Sequence, residues 1–453
     1  MRLKSLHKYA SLLLALGVIA GMSEQVFAAF DNLIPQRQRG KFFTPSIRLR
    51  ASYNDNVSAQ RGRSATGLAG DQIIKSPVFY TEPRVSIRLP FSQTFIGIDY
   101  KYSFAYFSAR PNDNEDNAHD LDLRLKHNFS QRLSLDVQHA FTYQQQGVIK
   151  RHSTVIRSDG TYTRNEFETA VKYDVTKFFY LTGRYMLNDL DFKTSAGSST
   201  FDATENRIGL ESAYVLNKNT VLLSGYTFAD KSYDKRANAD YDSHIIFGGI
   251  NYRFGKYFTV DATGGVDFRF HESPTRTTGL DIGLVPLYPG PGIPAGSAIG
   301  PIKVGQTDVG HNPFVTARLT TNYFRNAVIT LGYSLLTTTT EQTSFTDADV
   351  ESYSLQVSYR ILPKVTVDLS FLYIDENYLG TLFTTTEDGG LLVKLPLLDH
   401  PSTKVFRMGA VVSYQVTPWL FYELGYRRTD SDSDFTGSTY QRNEYFTGVN
   451  AIF

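Results

Sequence analysis

Arginine and lysine recur at alternate positions in several short runs of this sequence. Three of these runs are Ile47-Arg48-Leu49-Arg50, Val85-Ser86-Ile87-Arg88-Leu89 and Leu121-Asp122-Leu123-Arg124-Leu125-Lys126. The planar guanidinium group of arginine donates paired hydrogen bonds, so it suits carboxylate, sulfate or phosphate groups in a confined space. The chemistry open to these residues is the binding of anions, if the fold directs them into one enclosure.

The same runs alternate apolar with polar residues, and this alternation predicts the elements that position the arginines. A period of two indicates a β-strand with one apolar face and one polar face. Helical periodicity is absent after residue 28. We predict eighteen strands, at 43–53, 76–89, 94–107, 118–129, 133–144, 162–175, 178–190, 203–216, 219–232, 241–254, 257–270, 312–324, 326–340, 350–362, 364–378, 403–416, 419–430 and 439–453.

The connections between these segments are short on one side and long on the other. Turns such as 129–132 and 362–364 hold few residues, whereas 271–311 and 379–402 are long loops. This asymmetry is typical of a transmembrane β-barrel, whose tilted strands need roughly 9–11 residues to cross the bilayer. The predicted fold class is therefore all-β: a transmembrane antiparallel β-barrel of eighteen strands, or sixteen as the alternative, with short periplasmic turns and long extracellular loops.

The composition of the 453-residue chain excludes several classes of protein. It has no Cys, which excludes cysteine-based zinc sites, iron–sulfur clusters, disulfides and thiol enzymes. Its 46 basic and 45 acidic residues give a net charge of +1, which offers no long-range attraction for nucleic acid. The mean hydropathy of −0.26 excludes a helical membrane protein, but it fits strands that average a lipid face with a water face.

The N-terminal residues have the parts of a secretory signal peptide. Three basic residues precede an uncharged stretch over 9–22, and Val26-Phe27-Ala28 offers small side chains before a cleavage site. The predicted location is the bacterial outer membrane. Three segments are predicted: a signal peptide over 1–28, a short periplasmic N-terminal segment over 29–42 and the outer-membrane barrel over 43–453.

Two motifs carry a family resemblance. Tyr445, Val449 and Phe453 hold alternate positions of a last strand that resembles the C-terminal β-signal of bacterial outer-membrane proteins, although Ala451 departs from the aromatic residue often found there. That signal is read by the barrel-assembly machinery. The motif Tyr53-Asn54-Asp55-Asn56-Val57, with the strand pattern, resembles the outer-membrane β-barrel porin families associated with exopolysaccharide export. The resemblance implies a polysaccharide cargo of acidic type and periplasmic export partners.

Alternation also assigns charged residues to the face that would line the barrel interior, and it gives 16 basic against 11 acidic residues. The acidic ones are Asp99, Asp122, Asp136, Glu166, Glu168, Asp174, Glu211, Asp261, Asp267, Asp368 and Glu423. The basic ones are Lys101, Lys172 and the pore-lining candidates Arg48, Arg50, Arg84, Arg88, Arg124, Lys126, Arg184, Arg207, Arg253, Arg269, Arg318, Arg360, Arg407 and Arg427. The excess of basic residues predicts a weakly anion-selective lumen, and cross-strand ion pairs that only brace the wall are the alternative. Loops and turns would then carry the compensating acids.

Two long loops could restrict the lumen. Loop 271–311 is rich in Gly and Pro, and we expect it to fold into the barrel and limit access. Loop 379–402 contains an apolar octet at 391–398, which would either enter the lumen or lie on the rim against lipid.

Catalytic, cofactor and metal sites are not predicted. None of the nine His residues pairs with another at metal-ligand spacing, and no Gly-x-Ser-x-Gly elbow is present. Asn54-Asp55-Asn56 resembles part of a calcium loop but lacks its Gly and distant Glu, so a turn of Asx residues is expected.

The leading hypothesis is a passive outer-membrane channel for polysaccharide export. The alternatives are general diffusion of small anionic solutes and a surface-exposed structural or adhesive barrel.

Overall fold

A sheet of alternating strands has exposed edges unless it closes, and the computed structural model shows a closed sheet. Eighteen antiparallel strands form one barrel in which each strand pairs with its chain neighbours and the first pairs with the last. No helix among the described residues is long and apolar enough to cross a membrane. The structure describes residues 41–57, 73–110, 114–145, 148–151, 154–157, 161–193, 202–234, 240–271, 310–324, 326–339, 347–379, 383–384, 393–394, 401–434 and 439–453.

The barrel strands, β1 to β18 in chain order, agree with the predicted segments to within three residues at either end. They are Phe43–Asn54, Ser76–Pro90, Thr94–Phe107, Glu115–Asn128, Leu133–Gln144, Tyr162–Asp174, Phe179–Phe192, Ala203–Asn217, Thr220–Tyr233, Tyr241–Phe254, Phe258–His271, Gly310–Thr321, Ala327–Thr339, Asp347–Leu362, Val365–Leu379, Ser402–Gln415, Leu420–Ser433 and Tyr440–Ile452. Two short hairpins lie in loops, one pairing Val148–Arg151 with Thr154–Arg157 and one pairing Phe383–Thr384 with Val393–Lys394. The predicted fold class is confirmed with eighteen strands, and the sixteen-strand alternative is wrong.

The seam between β1 and β18 closes the barrel. The two strands pair from Ser46 opposite Ile452 to Asn54 opposite Glu444. Beyond the last pair, the backbone amide of Phe453 donates to the carbonyl oxygen of Pro45 at 2.9 Å. Because each barrel strand has two neighbours, its backbone polar groups are paired within the wall, as the bilayer interior requires.

The two ends of the barrel differ in their connections. Short turns of two to five residues join β2 to β3 and every later even-numbered strand to the next, and we call this side the turn end. The hydroxyls of Ser130, Thr176 and Thr417 each accept hydrogen bonds from backbone amides two and three residues further on, which fixes three of these turns. The opposite side, the loop end, carries the long connections.

The two faces of the wall differ in polarity. Residues that lie opposite one another in successive strand pairs share a face, and we call the face that bears Arg48 the inner face. It consists of the even-numbered residues of β1, β2, β4–β7, β12–β15 and β18. In β3, β8–β11, β16 and β17 it consists of the odd-numbered residues. The outer face is apolar, and Leu49, Leu222, Leu331 and Leu369 on it are exposed. Near the turn end, Tyr257 packs edge-on against Tyr323. An exposed apolar belt with aromatic residues at its border is the lipid-facing surface of an outer-membrane barrel.

Candidate functional site

The strand registers place every predicted pore-lining residue on the inner face. The side chains of alternate strands meet on this face, because it is the concave side of the barrel. Arg48 of β1 thus reaches past β18 to Glu423 of β17, with 3.0 Å between Nη2 and Oε1. The residues that share the face are Arg48, Arg50, Arg84, Arg88, Arg124, Lys126, Arg184, Arg207, Arg253, Arg269, Arg318, Arg360, Arg407 and Arg427, together with Lys101 and Lys172.

Most of these basic residues form ion pairs with carboxylates of the same face. The Arg48–Glu423 pair is the most enclosed of those that link distant strands, and the Glu423 side chain is only 5% exposed. Other pairs, at 2.5 to 3.9 Å, join Arg84 and Arg88 to Asp99, Lys101 to Asp120, Arg124 and Lys126 to Asp136, Lys172 to Asp174, Arg184 to Glu168 and Glu211, Arg207 to Glu205, Arg269 to Asp267 and Arg427 to Glu444. The charges of these residues are largely cancelled within the wall. The alternative of cross-strand bracing describes the pairs that join different strands, whereas Lys172–Asp174, Arg207–Glu205 and Arg269–Asp267 each lie within one strand.

Four of the predicted pore-lining arginines differ from the others because they lack a carboxylate partner among the described residues. Arg50, Arg253, Arg360 and Arg407 form no ion pair with any residue that the structure describes. The guanidinium group of Arg50 lies 4.4 Å from the centre of the Tyr80 ring and 5.0 Å from that of Phe446. Contact with two aromatic faces holds the cation in place without neutralising it.

Phe446 is itself positioned by a glycine on the neighbouring strand. It lies directly opposite Gly425, and a Cβ atom added to that glycine would lie 2.2 Å from the tip of the phenylalanine ring. The guanidinium group of Arg427 lies 5.0 Å from the same ring. The ring therefore occupies the space above Gly425 and supports two arginines, Arg50 and Arg427. Phe247 over Gly225 and Phe314 over Gly265 repeat the arrangement elsewhere on the inner face.

The registers correct the predicted charge balance of the inner face. They add three basic residues, Arg164, Lys231 and Arg442, that the prediction missed. They also add six acidic residues, which are Glu82, Asp116, Asp120, Glu205, Glu376 and Glu444. The excess of basic residues on the inner face therefore falls from five to two. Strict alternation within the predicted strands gives eight of the nine; Asp116 lies before the predicted start of β4.

Hydroxyl groups and glycines occupy much of the wall opposite the charged strands. On β13 and β14 the Oγ atoms of Ser334 and Ser352 lie 2.8 Å apart, and both side chains are buried. Inner-face residues of the same character are Thr227, Gly249, Thr263, Thr316, Gly332, Ser354, Ser370, Gly409 and Ser413. The ion pairs are densest on β1–β8, β17 and β18, so the charge is distributed unevenly around the barrel.

The motif at the end of β1 is a structural clasp. The backbone amide of Asn56 donates to Oδ1 of Asn54 at 2.9 Å, which confirms the expected turn of Asx residues. The Asn56 side chain donates to the carbonyl oxygen of Gln441 at 2.9 Å, and so ties β1 to β18. Among the described residues, no group of three or more His, Asp or Glu could hold a metal ion.

Several predictions lie wholly or largely outside the described residues. These are the signal peptide over 1–28, most of the segment over 29–42, and the behaviour of loops 271–311 and 379–402. The residues of the predicted assembly signal are described: Tyr445 and Phe453 are exposed, and Tyr445 packs on Tyr426 while Phe453 stacks on Trp419. Recognition of this strand by the assembly machinery stays a prediction.

No protein-family model matches the sequence, and no curated protein matches it. OccAB4 of Acinetobacter baumannii is one similar solved structure, with 12% identity over 91% of this chain and 99% of its own, at a TM-score of 0.43. A BenF-like porin from Pseudomonas fluorescens gives 14% identity, the same two coverages and a TM-score of 0.45. The outer membrane protein OpdK from Pseudomonas aeruginosa gives 12% identity, again the same coverages and a TM-score of 0.43.

These likenesses concern the barrel fold alone. The location follows from the wall of this chain, because a closed antiparallel barrel with an exposed apolar belt is the structure with which proteins cross the bacterial outer membrane. The chain is an outer-membrane β-barrel.

Proposed function

We propose that this barrel is a passive, porin-like channel for small anionic solutes. The observation that carries the proposal is Arg50, whose guanidinium group is held on the inner face by Tyr80 and Phe446 and has no carboxylate partner among the described residues. A barrel of sixteen to eighteen strands is wide enough to leave an aqueous channel. An uncompensated, fixed cation in such a channel favours the entry of anions.

The paired charges have a different part in this function. Ion pairs such as Arg48–Glu423 and Arg184–Glu168 cancel most of the charge on the inner face and link different strands. A channel that bound anions tightly would release them slowly. Conduction therefore requires binding that is weak enough for the solute to leave the channel. A small excess of unpaired arginines on a neutralised, rigid wall meets that requirement.

Export of an exopolysaccharide, which the family resemblance implied, gains no support. No family model matches the chain, and the solved structures that share its barrel are porins or outer-membrane proteins. Diffusion of small anionic solutes, the alternative hypothesis from the sequence, fits these similar structures better than polysaccharide export does. No enzymatic activity is proposed, because the described residues of the inner face present ion pairs and hydroxyl groups without a nucleophile and base poised for chemistry.

The test is solute flux into proteoliposomes that contain the purified barrel. A small monocarboxylate should enter faster than an uncharged polyol of similar size, and Arg50→Gln should reduce that ratio. The matched control is Arg428→Gln, which removes one arginine from the outer face, where it pairs with Asp430. Equal entry of both solutes into wild-type vesicles, or faster entry of a cation, would contradict the proposal.

A further inference from the structure

The short turns of the barrel bear exposed basic side chains. Among the described residues of the short turns there is no Asp or Glu. Five of these turns carry one exposed basic residue each, namely Arg132, Lys177, Lys218, Lys256 and Lys364. None of the five forms an ion pair with any other residue that the structure describes. The expectation that the turns would carry compensating acids is wrong.

The basic character continues into the turn-end mouth of the barrel. Arg253 and Arg360 lie on the inner face within three residues of a turn, are exposed, and form no ion pair in the described part of the chain. Lys126 and Lys172 occupy similar positions and pair with Asp136 and Asp174 at 3.0 Å. Asp136 and Asp174 are therefore engaged, while the turn residues and the two arginines keep their charge. Two further inner-face carboxylates near the turns, Asp261 and Asp368, form no ion pair with a described residue, but the basic residues of this mouth outnumber them.

The loop end has the opposite character. Acidic residues outnumber basic ones in the described segments that border the long loops, such as Asp191, Asp202, Asp430, Asp432 and Asp434 near two of them. In the part of the chain that the structure describes, charge is therefore separated along the barrel axis. Among the described residues, basic side chains border one mouth and acidic side chains predominate at the other.

Fixed charge at the mouth of a low-dielectric channel concentrates its counter-ions there. When a voltage drives anions in from the turn end, they enter from this enriched region, and cations arrive from the acidic mouth. When the voltage is reversed, both kinds of ion are drawn out of the channel faster than they are replaced. Conductance must then depend on the sign of the voltage.

We propose that the turn end is an anion-collecting mouth, so that the channel passes more current when anions are driven from the turn end to the loop end than in reverse. This inference rests on the proposed function. It extends that function by assigning a polarity to the pore and a role to turn residues outside the inner face. The channel stays passive, so the polarity alters rates and leaves the equilibrium distribution of a solute unchanged.

The test is the current–voltage curve of single channels in a planar bilayer. The ratio of currents at equal and opposite voltages should be on the order of two at low salt. It should approach one in 1 M salt, where the Debye length is about 3 Å. The triple variant Lys177→Gln, Lys218→Gln, Lys256→Gln should lose most of the asymmetry. The matched control neutralises three exposed lysines near the loop end, Lys75, Lys193 and Lys404. In this control the larger current should keep the same direction as in the wild type.

The absence of Cys from the chain allows a second test, in which the charge of one turn is changed after the channel has folded and inserted. In Lys218→Cys, an anionic methanethiosulfonate added after insertion reverses the charge at one turn, and only from the side on which that turn is exposed. The reaction thus reports orientation, and it should reduce the asymmetry further. A conducting channel with a symmetric curve, or unchanged asymmetry in the turn variant, would overturn the inference alone. No conductance at all would overturn the proposed function as well.

Discussion

The carboxylate of Asp55 accepts two hydrogen bonds from Asn443 across the seam between β1 and β18. The backbone amide of Asn443 donates at 2.6 Å, and its side-chain Nδ2 donates at 2.7 Å. In return, the backbone amide of Asp55 donates to the carbonyl oxygen of Asn443 at 3.1 Å. The two residues are 388 positions apart in the sequence, so this contact forms only when the barrel closes.

The clasp should contribute measurably to stability. Asp55→Ala leaves two donors of Asn443 without their acceptor, and we expect a loss of about 1–3 kcal/mol in the free energy of unfolding. The measurement is urea unfolding in lipid vesicles, together with the temperature at which the folded band disappears on a detergent gel. Asp191→Ala is the control, because the Asp191 side chain is exposed and forms no hydrogen bond or ion pair with a described residue. Equal effects of the two substitutions would mean that the clasp does not secure the seam.

The two faces of one strand should respond in opposite ways to the same substitution. Leu331 lies on the outer face of β13 and is 45% exposed, whereas Thr330 lies beside it on the inner face. Leu331→Lys places a charge against lipid near the middle of the strand and should cost about 2–4 kcal/mol. Thr330→Lys should cost far less, because its side chain faces the lumen. Similar unfolding free energies for both variants would contradict the assignment of faces.

Ion pairs on the inner face should differ in their contribution according to burial. Arg48→Ala leaves Glu423 enclosed without its closest partner, and we expect a loss on the order of 3 kcal/mol in the free energy of unfolding. Lys172→Ala breaks a pair whose side chains are 42% and 37% exposed, and it should cost at most about 1 kcal/mol. Equilibrium unfolding of the two variants in the same vesicles gives the comparison. If Lys172→Ala proved the more harmful, burial would not be what sets the value of these pairs.

Gly425 should be intolerant of a larger side chain. In Gly425→Ala, the new methyl group would meet the Phe446 ring, which must then move away from the wall. Because this ring supports Arg50 and Arg427, we expect a lower single-channel conductance and a lower anion preference. Gly183→Ala is the control, because a Cβ atom there would have nothing within 4 Å. Unchanged conductance in Gly425→Ala would show that the ring does not border the conducting path.

The strands were predictable from the sequence because alternation is a local signal. The segment over 94–107 agrees with Thr94–Phe107 at both ends, and β4 begins three residues earlier than predicted. The prediction starts β4 too late because Glu115 and Asp116 are polar at successive positions near a loop, so the sequence shows no apolar face there. Pairing with Tyr106 and Ala105 of β3 extends the strand to these residues nevertheless.

The candidate site was only half predictable. Alternation places Arg48 and Arg50 on the inner face. It does not show that Arg50 is held by the rings of Tyr80 and Phe446. Nor does it show that Arg48 forms an ion pair with Glu423. Those partners come from other strands, and strand register depends on pairing across the whole barrel. The clasp between Asp55 and Asn443 was inaccessible for the same reason. The basic residues of the turns can be read from the sequence, but strand alternation assigns charge to the inner face alone and does not predict the charge of the turns.

The most direct test of the central claim is the zero-current potential of the wild-type channel in a planar bilayer with a KCl gradient at neutral pH. The unpaired arginines of the inner face predict that chloride is the more permeant ion, so the dilute side should become negative. Arg50→Gln should shift the potential toward zero, and Arg428→Gln should leave it unchanged. A potential of the opposite sign, which means preference for potassium, would contradict the assignment of this barrel as an anion-preferring channel.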